Sequence, residues 1–257
     1  MDLFADLFRQ NLFAQMGNTV IALSFVLVRI LAFMHFAPIF SHKSVPAHVR
    51  IAFSLFLTSM LAPQAFEAVV PTEGYSVLYV LLTNFALGFI IGFTTNILFV
   101  TITAGGEMMD ASMGFSSGQM FDPSLGSQTT ILGKFMGSLA IVVFFYIDGP
   151  QALIQGLYNS FELFSLFDPS MDINMPKIIH LVGDIIHMGF ILVSPVVLTI
   201  LVNDLVLGLL SRASPQINAF QISFTIKPMV GISILLIILP LFFSAVANFL
   251  GNHSMLY

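Results

Sequence analysis

GYSVLYVLLTNFALGFIIGFTTNILFVTITAGG, residues 74–106, contains no Asp, Glu, Lys or Arg across 33 consecutive positions between Glu73 and Glu107. A soluble domain carries charge at about one position in four, so a run this long does not belong on a solvated surface. About 20 apolar residues make a helix that crosses roughly 30 Å of hydrocarbon. The stretch predicts a long membrane-type helix over 77–104. It sets the fold class as all-α, a membrane-associated protein of hydrophobic helical hairpins. Two further charge-free runs, 228–257 with 30 positions and 185–203 with 19, extend the pattern. They predict helices over 229–250 and 178–202. Another is predicted over 16–37, interrupted by Arg29. The apolar runs 51–66 and 135–147 hold only 16 and 13 residues. At about 1.5 Å per residue they reach roughly 24 and 20 Å, short of a bilayer. Residues 149–167 are apolar with Gln and Asn interspersed and predict a helix lying on another element.

The composition agrees. Of 257 residues, 57% are hydrophobic and 8% charged, and the mean hydropathy is +0.97. This excludes an ordinary soluble enzyme and a disordered segment. Eight basic residues form no patch for nucleic acid. With no Cys there is no disulfide, thiolate metal site or cysteine nucleophile. Asp2 and Asp6 stand where a secretory signal would carry cations, so the start does not read as one. The mixture of over-long and too-short segments suggests that many helices face other protein, because a helix bathed in lipid tends to match its thickness. The plainer alternative is that polar residues extend the short ones.

Lys and Arg set the orientation. With six segments, Lys43 and Arg50 fall in the first connection, Lys134 in the third, and Arg212 and Lys227 in the fifth. The second holds only Glu67 and Glu73. The fourth sets Asp148, Glu162, Asp168 and Asp172 against Lys177. Odd-numbered connections are thus expected in the cytoplasm and both termini outside, with Arg9 dissenting.

Residues 105–128, GGEMMDASMGFSSGQMFDPSLGSQ, contain no Val, Ile or Thr, but five Gly and four Met. Glycine gives backbone freedom. Methionine is unbranched and packs against irregular or changing partners. The stretch suits a loop that fills a space and then leaves it. The plainer reading is a helix end followed by a turn at Asp122-Pro123. Gly114-Phe115-Ser116-Ser117-Gly118 fits the G-x-S-x-G hydrolase pattern, but that pattern needs a preceding strand and an oriented His. No strand pattern precedes it. Glu107 and Asp110, one turn apart, read as polar anchors of the loop rather than an acid–base pair.

Charge inside an apolar helix marks a functional residue by default, which singles out Arg29, Asp184 and Asp204. His180, Asp184 and His187 share one helix face at i, i+4 and i+7. They admit a metal site, a proton relay, or a polar stripe hydrogen-bonded across a helix interface. The stripe is the expected role.

The stretches Arg29-Ile30, Ala37-Pro38-Ile39-Phe40, Ser44-Val45-Pro46, Val49-Arg50 and Ala62-Pro63 resemble the FliR family. Its members are export-gate subunits of flagellar and virulence type III secretion. So do Gly106-Glu107, Met113-Gly114-Phe115 and Phe121-Asp122-Pro123. A third set is Leu207-Gly208-Leu209-Leu210, Arg212, Ser214-Pro215-Gln216-Ile217-Asn218, Phe220 and Gly231. The resemblance covers nearly the whole chain in order and favours the flagellar branch. It implies one R subunit joined to about five P and four Q subunits in a closed helical assembly. Residues 1–185 would be similar to P, and 186–257 to the Q hairpin, its cytoplasmic turn lying between Arg212 and Lys227. The assembly would stand largely above the bacterial inner membrane, toward the periplasm, in the flagellar basal body. It would template the rod, meet other rod and hook-basal-body proteins and the FlhB and FlhA components, and pass unfolded flagellar proteins.

The resulting expectation is a non-enzymatic pore subunit with no cofactor, metal or nucleic-acid partner. Met108, Met109, Met113, Phe115, Met120 and Phe121 would plug the pore, since bulky apolar groups close a narrow channel by excluding water. Glu107, Asp110 and Asp122 would anchor the plug, and Arg29, Asp184 and Asp204 would be structural polar groups. The alternative from another class is a proton- or ion-coupled membrane transporter, which predicts inverted repeats with broken helices. No such symmetry is visible in the sequence.

Overall fold

The computed structural model describes residues 2–38, 40, 45–65, 77–115, 130–164, 166, 175–216 and 218–253. Seven helices run through them: α1 Asp2–Phe36, α2 Ala47–Ala65, α3 Val77–Met113, α4 Ile131–Tyr146, α5 Gly149–Leu163, α6 Met175–Ala213 and α7 Ala219–His253. No strand occurs among the described residues. Each helix expected from the sequence is present, but most run further. The helix expected at 77–104 continues to Met113, and that expected at 178–202 spans 175–213. The predicted loop therefore begins as helix, and only from Gly114 does the chain leave α3.

Among the described residues four helices are long and apolar enough to cross a membrane by length and composition, in Thr19–Phe36, Val77–Met113, Met175–Ala213 and Ala219–Asn248, and a fifth if α4 and α5, bent by 70°, count as one span. α3 has 37 residues and α6 39, roughly 55–60 Å at about 1.5 Å per residue. That is nearly twice a bilayer's hydrocarbon core.

Local chemistry explains how such apolar helices carry polar residues. Thr94, Thr95 and Thr103 donate their hydroxyls to the carbonyls of Ile90, Ile91 and Phe99 one turn back, at 2.7, 3.1 and 2.8 Å. These three hydroxyls are then not left to face hydrocarbon unpaired. In α6, Pro195 has no N–H for the Ile191 carbonyl. The neighbouring Ser194 hydroxyl donates to that same carbonyl at 2.9 Å, so the helix continues. α4 begins with Thr130 as N-cap, its hydroxyl accepting from the Gly133 N–H at 3.1 Å. It ends where Asp148, at φ 58°, turns the chain into α5.

The chain divides into two compact units. One holds residues 1–96 and 151–174, so α1, α2, the first half of α3 and nearly all of α5. Its core comes from Phe25, Val26, Ile30, Phe33 and Met34 of α1, Leu57 of α2, Leu87 of α3 and Leu157 of α5. The other holds 97–150 and 175–256, so the second half of α3, α4, α6 and α7. Its core comes from Phe99, Ile102, Met109 and Met113 of α3, Met136 and Phe144 of α4, Val196 and Ile200 of α6, and Phe242 and Val246 of α7. In this unit α6 and α7 pair as a hairpin, and α4 packs on α7.

Candidate functional site

Arg29 lies about two turns before the end of α1 and is completely buried. A guanidinium cannot be left bare in an apolar interior, so its donors must all find acceptors. Nε and Nη2 both donate to Asn84 Oδ1 of α3, at 3.0 and 2.7 Å. Nη1 donates to the Ser160 carbonyl at 2.8 Å and Nη2 to the Phe164 carbonyl at 3.2 Å. These two carbonyls lie at the C-terminal end of α5, where the helix carries partial negative charge; the Ser160 carbonyl also accepts the Phe164 N–H at 3.1 Å. The guanidinium also lies 4.4 Å over the Phe161 ring, a cation–π contact. Asn84 is fixed in turn by its amide, which donates to the Val80 and Leu166 carbonyls at 2.8 and 3.1 Å. Arg29 thus ties α1, α3 and α5 together through uncharged acceptors.

The same joint needs close backbones. A Cβ on Gly88 would overlap the Arg29 carbonyl oxygen, and one on Gly92 would come within 2.7 Å of the Phe33 carbonyl. Gly88-Phe89-Ile90-Ile91-Gly92 is a G-x-x-x-G motif, the small-residue pattern that lets two apolar helices approach. This is the feature that the sequence reading missed, although its signal was present.

The second constellation stands where α3 ends, in the other unit. Met109 and Met113 are buried at 1% exposure each, whereas Met108 is 43% exposed. The three methionines expected to line one plug therefore do not share one environment, because they sit on a helix rather than on a loop. Phe115 is half-buried just past the helix end. Gly114 has φ 84°, the left-handed geometry that ends α3. Met120, Phe121 and Asp122, like Ser116 of the hydrolase-type pattern, lie outside the described residues.

Asp110 is fully buried. Its Oδ1 accepts the Leu132 N–H of α4 at 3.3 Å. A carboxylate at a helix N-terminus satisfies an orphan donor and meets the positive end of the helix. Oδ2 has no hydrogen-bond partner among the described residues. Here too the helices touch backbone to backbone: a Cβ on Gly106 would lie 2.5 Å from the Leu132 carbonyl oxygen, and one on Gly133 2.8 Å from Glu107 Cγ. The end of α3 and the start of α4, which flank residues 114–130, are thus held together by Asp110 and by this small-residue contact. Glu107 contributes its side chain to the contact.

Asp204 of α6 forms an ion pair with Lys227 of α7 at 2.7 Å, across the hairpin and partly exposed. Asp184, His180 and His187 are exposed on α6. Among the described residues no group of three or more His, Cys, Asp or Glu could hold a metal ion. The units also expose many large apolar side chains, among them Phe190, Leu205 and Leu209 of α6 and Phe220, Leu236 and Ile237 of α7. Apolar patches of this extent mark lipid or protein contact.

Comparison with known proteins adds the following. The family model described as bacterial export proteins, family 1, matches residues 20–253. The flagellar biosynthetic protein FliR of Escherichia coli K12 is 29% identical over 234 residues, covering 88% of this chain and 90% of its own. FliR of Bacillus subtilis 168 is 27% identical over 232 residues, 87% of this chain and 88% of its own. The surface presentation of antigens protein SpaR of Shigella flexneri is 27% identical over 236 residues, 91% and 92%.

Proposed function

Since the chain belongs to the bacterial export proteins, family 1, we propose that it is a subunit of the flagellar type III export gate. In this reading it helps to form the central pore, its Gly/Met/Phe stretch obstructs that pore, and unfolded flagellar proteins pass when the obstruction yields. Relatives named for flagellar biosynthesis, with one named for antigen presentation in Shigella, support an export role and favour the flagellar branch.

The observation that carries the pore reading is the junction of α3 and α4. Asp110 and the Gly106–Gly133 contact bring together the two ends of a stretch rich in Gly, Met and Phe. Such a stretch can be long and deformable without loosening its base, because loop length alone adds little closure entropy. Methionine side chains adapt to many partners, which suits passengers that share no common surface.

The same reading has one copy of this chain join about five P and four Q subunits, with residues 1–185 resembling P and 186–257 the Q hairpin. The complex would stand largely above the inner membrane on its periplasmic side, within the basal body. There it would meet FlhB, FlhA and the rod, whose assembly it templates. Helix lengths near twice a bilayer core and large exposed apolar faces support an assembly in which most helices pack on other subunits. The test is native mass spectrometry of the detergent-extracted complex co-expressed with its P and Q partners. One copy of this chain per closed complex is expected. A stable, monodisperse monomer would count against the assignment.

A further inference from the structure

Met113 is the last residue of α3 and is 1% exposed. It is seated on Gly231 of α7: a Cβ there would come within 2.6 Å of Met113 Cγ and Sδ and would overlap Cε. The side chain therefore occupies the space that a larger residue at position 231 would fill. Gly231 is itself buried. The seat lies at a weak point of α7. Pro228, three residues before it, has no N–H for the Phe224 carbonyl and removes one rung of the helix ladder. Sharp helix bends concentrate at such prolines. One residue earlier, Lys227 is pinned to Asp204 of α6. Directly after Met113, Gly114 takes the left-handed conformation that releases the chain from α3.

These four features adjoin: an ion pair between α6 and α7, a proline that weakens α7, a glycine seat, and the terminal methionine of α3 within it. We infer that Met113 on Gly231 is a latch coupling the end of α3 to α7 beside Pro228. While α7 keeps its described course, Met113 is held and the chain leaves α3 at a fixed place. When α7 bends at Pro228, the seat opens and the last turn of α3 is freed. The unbranched thioether suits this role because it can enter and leave a tight socket through rotamer changes alone. The latch rests on the pore reading and supplies its regulation: a displacement at the α6–α7 hairpin becomes a release at the base of the obstructing stretch.

The protein has no cysteine of its own, so a disulfide can lock the latch selectively. In Met113→Cys the sulfur would stand in the place of Met113 Cγ, 2.6 Å from the Cβ position of residue 231. From there a small adjustment brings it within S–S bonding distance, about 2.05 Å, of a sulfur carried on that Cβ. The Met113→Cys/Gly231→Cys pair is expressed in a deletion strain with the intact partner subunits and oxidised with copper phenanthroline. The bond is expected to form, to stop export of flagellar proteins, and to restore export on reduction. Each single substitution should be indifferent to oxidant. Export at the parental rate with the bond formed, or failure of the bond to form in an assembled complex, overturns the latch. As a second line, Gly231→Ala should unseat Met113 and raise dye entry, and Met113→Ala, which leaves the seat empty, should raise it as well. An unchanged leak and unchanged export in assembled Gly231→Ala also overturn it. Deletion of residues 114–118 in the same strain separates the two ideas. If the deletion leaks but the latch variants behave as the parent, only the latch fails. If the deletion does not leak, the pore reading itself fails.

Discussion

Replacing Arg29 by Met keeps a long side chain in α1 and removes every donor. Asn84 Oδ1 and the Phe164 carbonyl, which accept at 2.7–3.2 Å in the parent, would then face an apolar interior, while the Ser160 carbonyl would keep only the Phe164 N–H at 3.1 Å. Each buried acceptor left unpaired costs about 1–3 kcal/mol. Part is recovered as the apolar side chain packs and α5 shifts. A net loss of roughly 2–4 kcal/mol is expected for buried acceptors stripped of their donor. At about 2–4 °C per kcal/mol for a protein of this size, the melting temperature of the purified complex should fall by on the order of 10 °C. Arg29→Lys should fare little better, because one ammonium cannot span acceptors on both α3 and α5 as a planar fork does. Adding Asn84→Leu to Arg29→Met should return part of the loss, since the orphaned side-chain acceptor is removed with its donor. The assay is thermal unfolding of the detergent-extracted complex, with limited proteolysis of α5 as a local readout. Melting of Arg29→Met within about 2 °C of the parent would mean that the network contributes less than about 1 kcal/mol, and the joint would not hold α1, α3 and α5 together.

Gly88→Val should prevent accumulation of the protein in membranes, because its branched side chain meets the Arg29 backbone, which cannot yield; immunoblotting of membrane fractions checks this. Asp110→Ala should weaken the α3–α4 junction by about 1 kcal/mol, typical of a lost N-terminal cap, and Asp110→Asn by less, since its amide oxygen can still accept from Leu132; complex stability measures both. Reversing the partly exposed Asp204–Lys227 pair by exchanging the two residues should change stability by under about 1 kcal/mol and leave motility near normal. Asp184→Asn should likewise keep motility near normal, as expected of an exposed position on α6; a proton relay would lose motility with Asn and retain it with Glu. Replacing Phe115 and Phe121 by Ala should give a milder inner-membrane leak than deleting 114–118, read as dye entry into cells.

The all-α class and the places of α3, α6 and α7 could be read from the charge-free runs, because a stretch of about 20 or more apolar residues without charge does not belong on a solvated surface, and the other helices from shorter apolar runs. The helix ends could not. The run at 74–106 stops at Glu107, yet α3 continues to Met113. Asp110 is accepted there because α4, 22 residues later, offers its N-terminal Leu132 amide, and no local pattern announces a partner at that distance. Arg29 was legible as an anomaly within an apolar helix but not as a joint. Its acceptors lie 55, 131 and 135 residues away and two of them are backbone carbonyls, which carry no sequence signature. Gly88 and Gly92 did carry one and could have located the α1–α3 approach. Met108, Met109 and Met113 were identified by composition, but helical spacing separates an exposed Met108 from the two buried residues. The latch at Gly231 depends on which residue happens to face it, and packing of that kind is visible only in three dimensions.

The measurement that bears most directly on the central claim is protein secretion from a strain in which only this gene is deleted. Hook and filament proteins are followed in the medium and inside the cells. The account predicts that they are made, accumulate inside and are absent from the medium, and that supplying this chain restores their export. Undiminished secretion of these proteins by the deletion strain would contradict it.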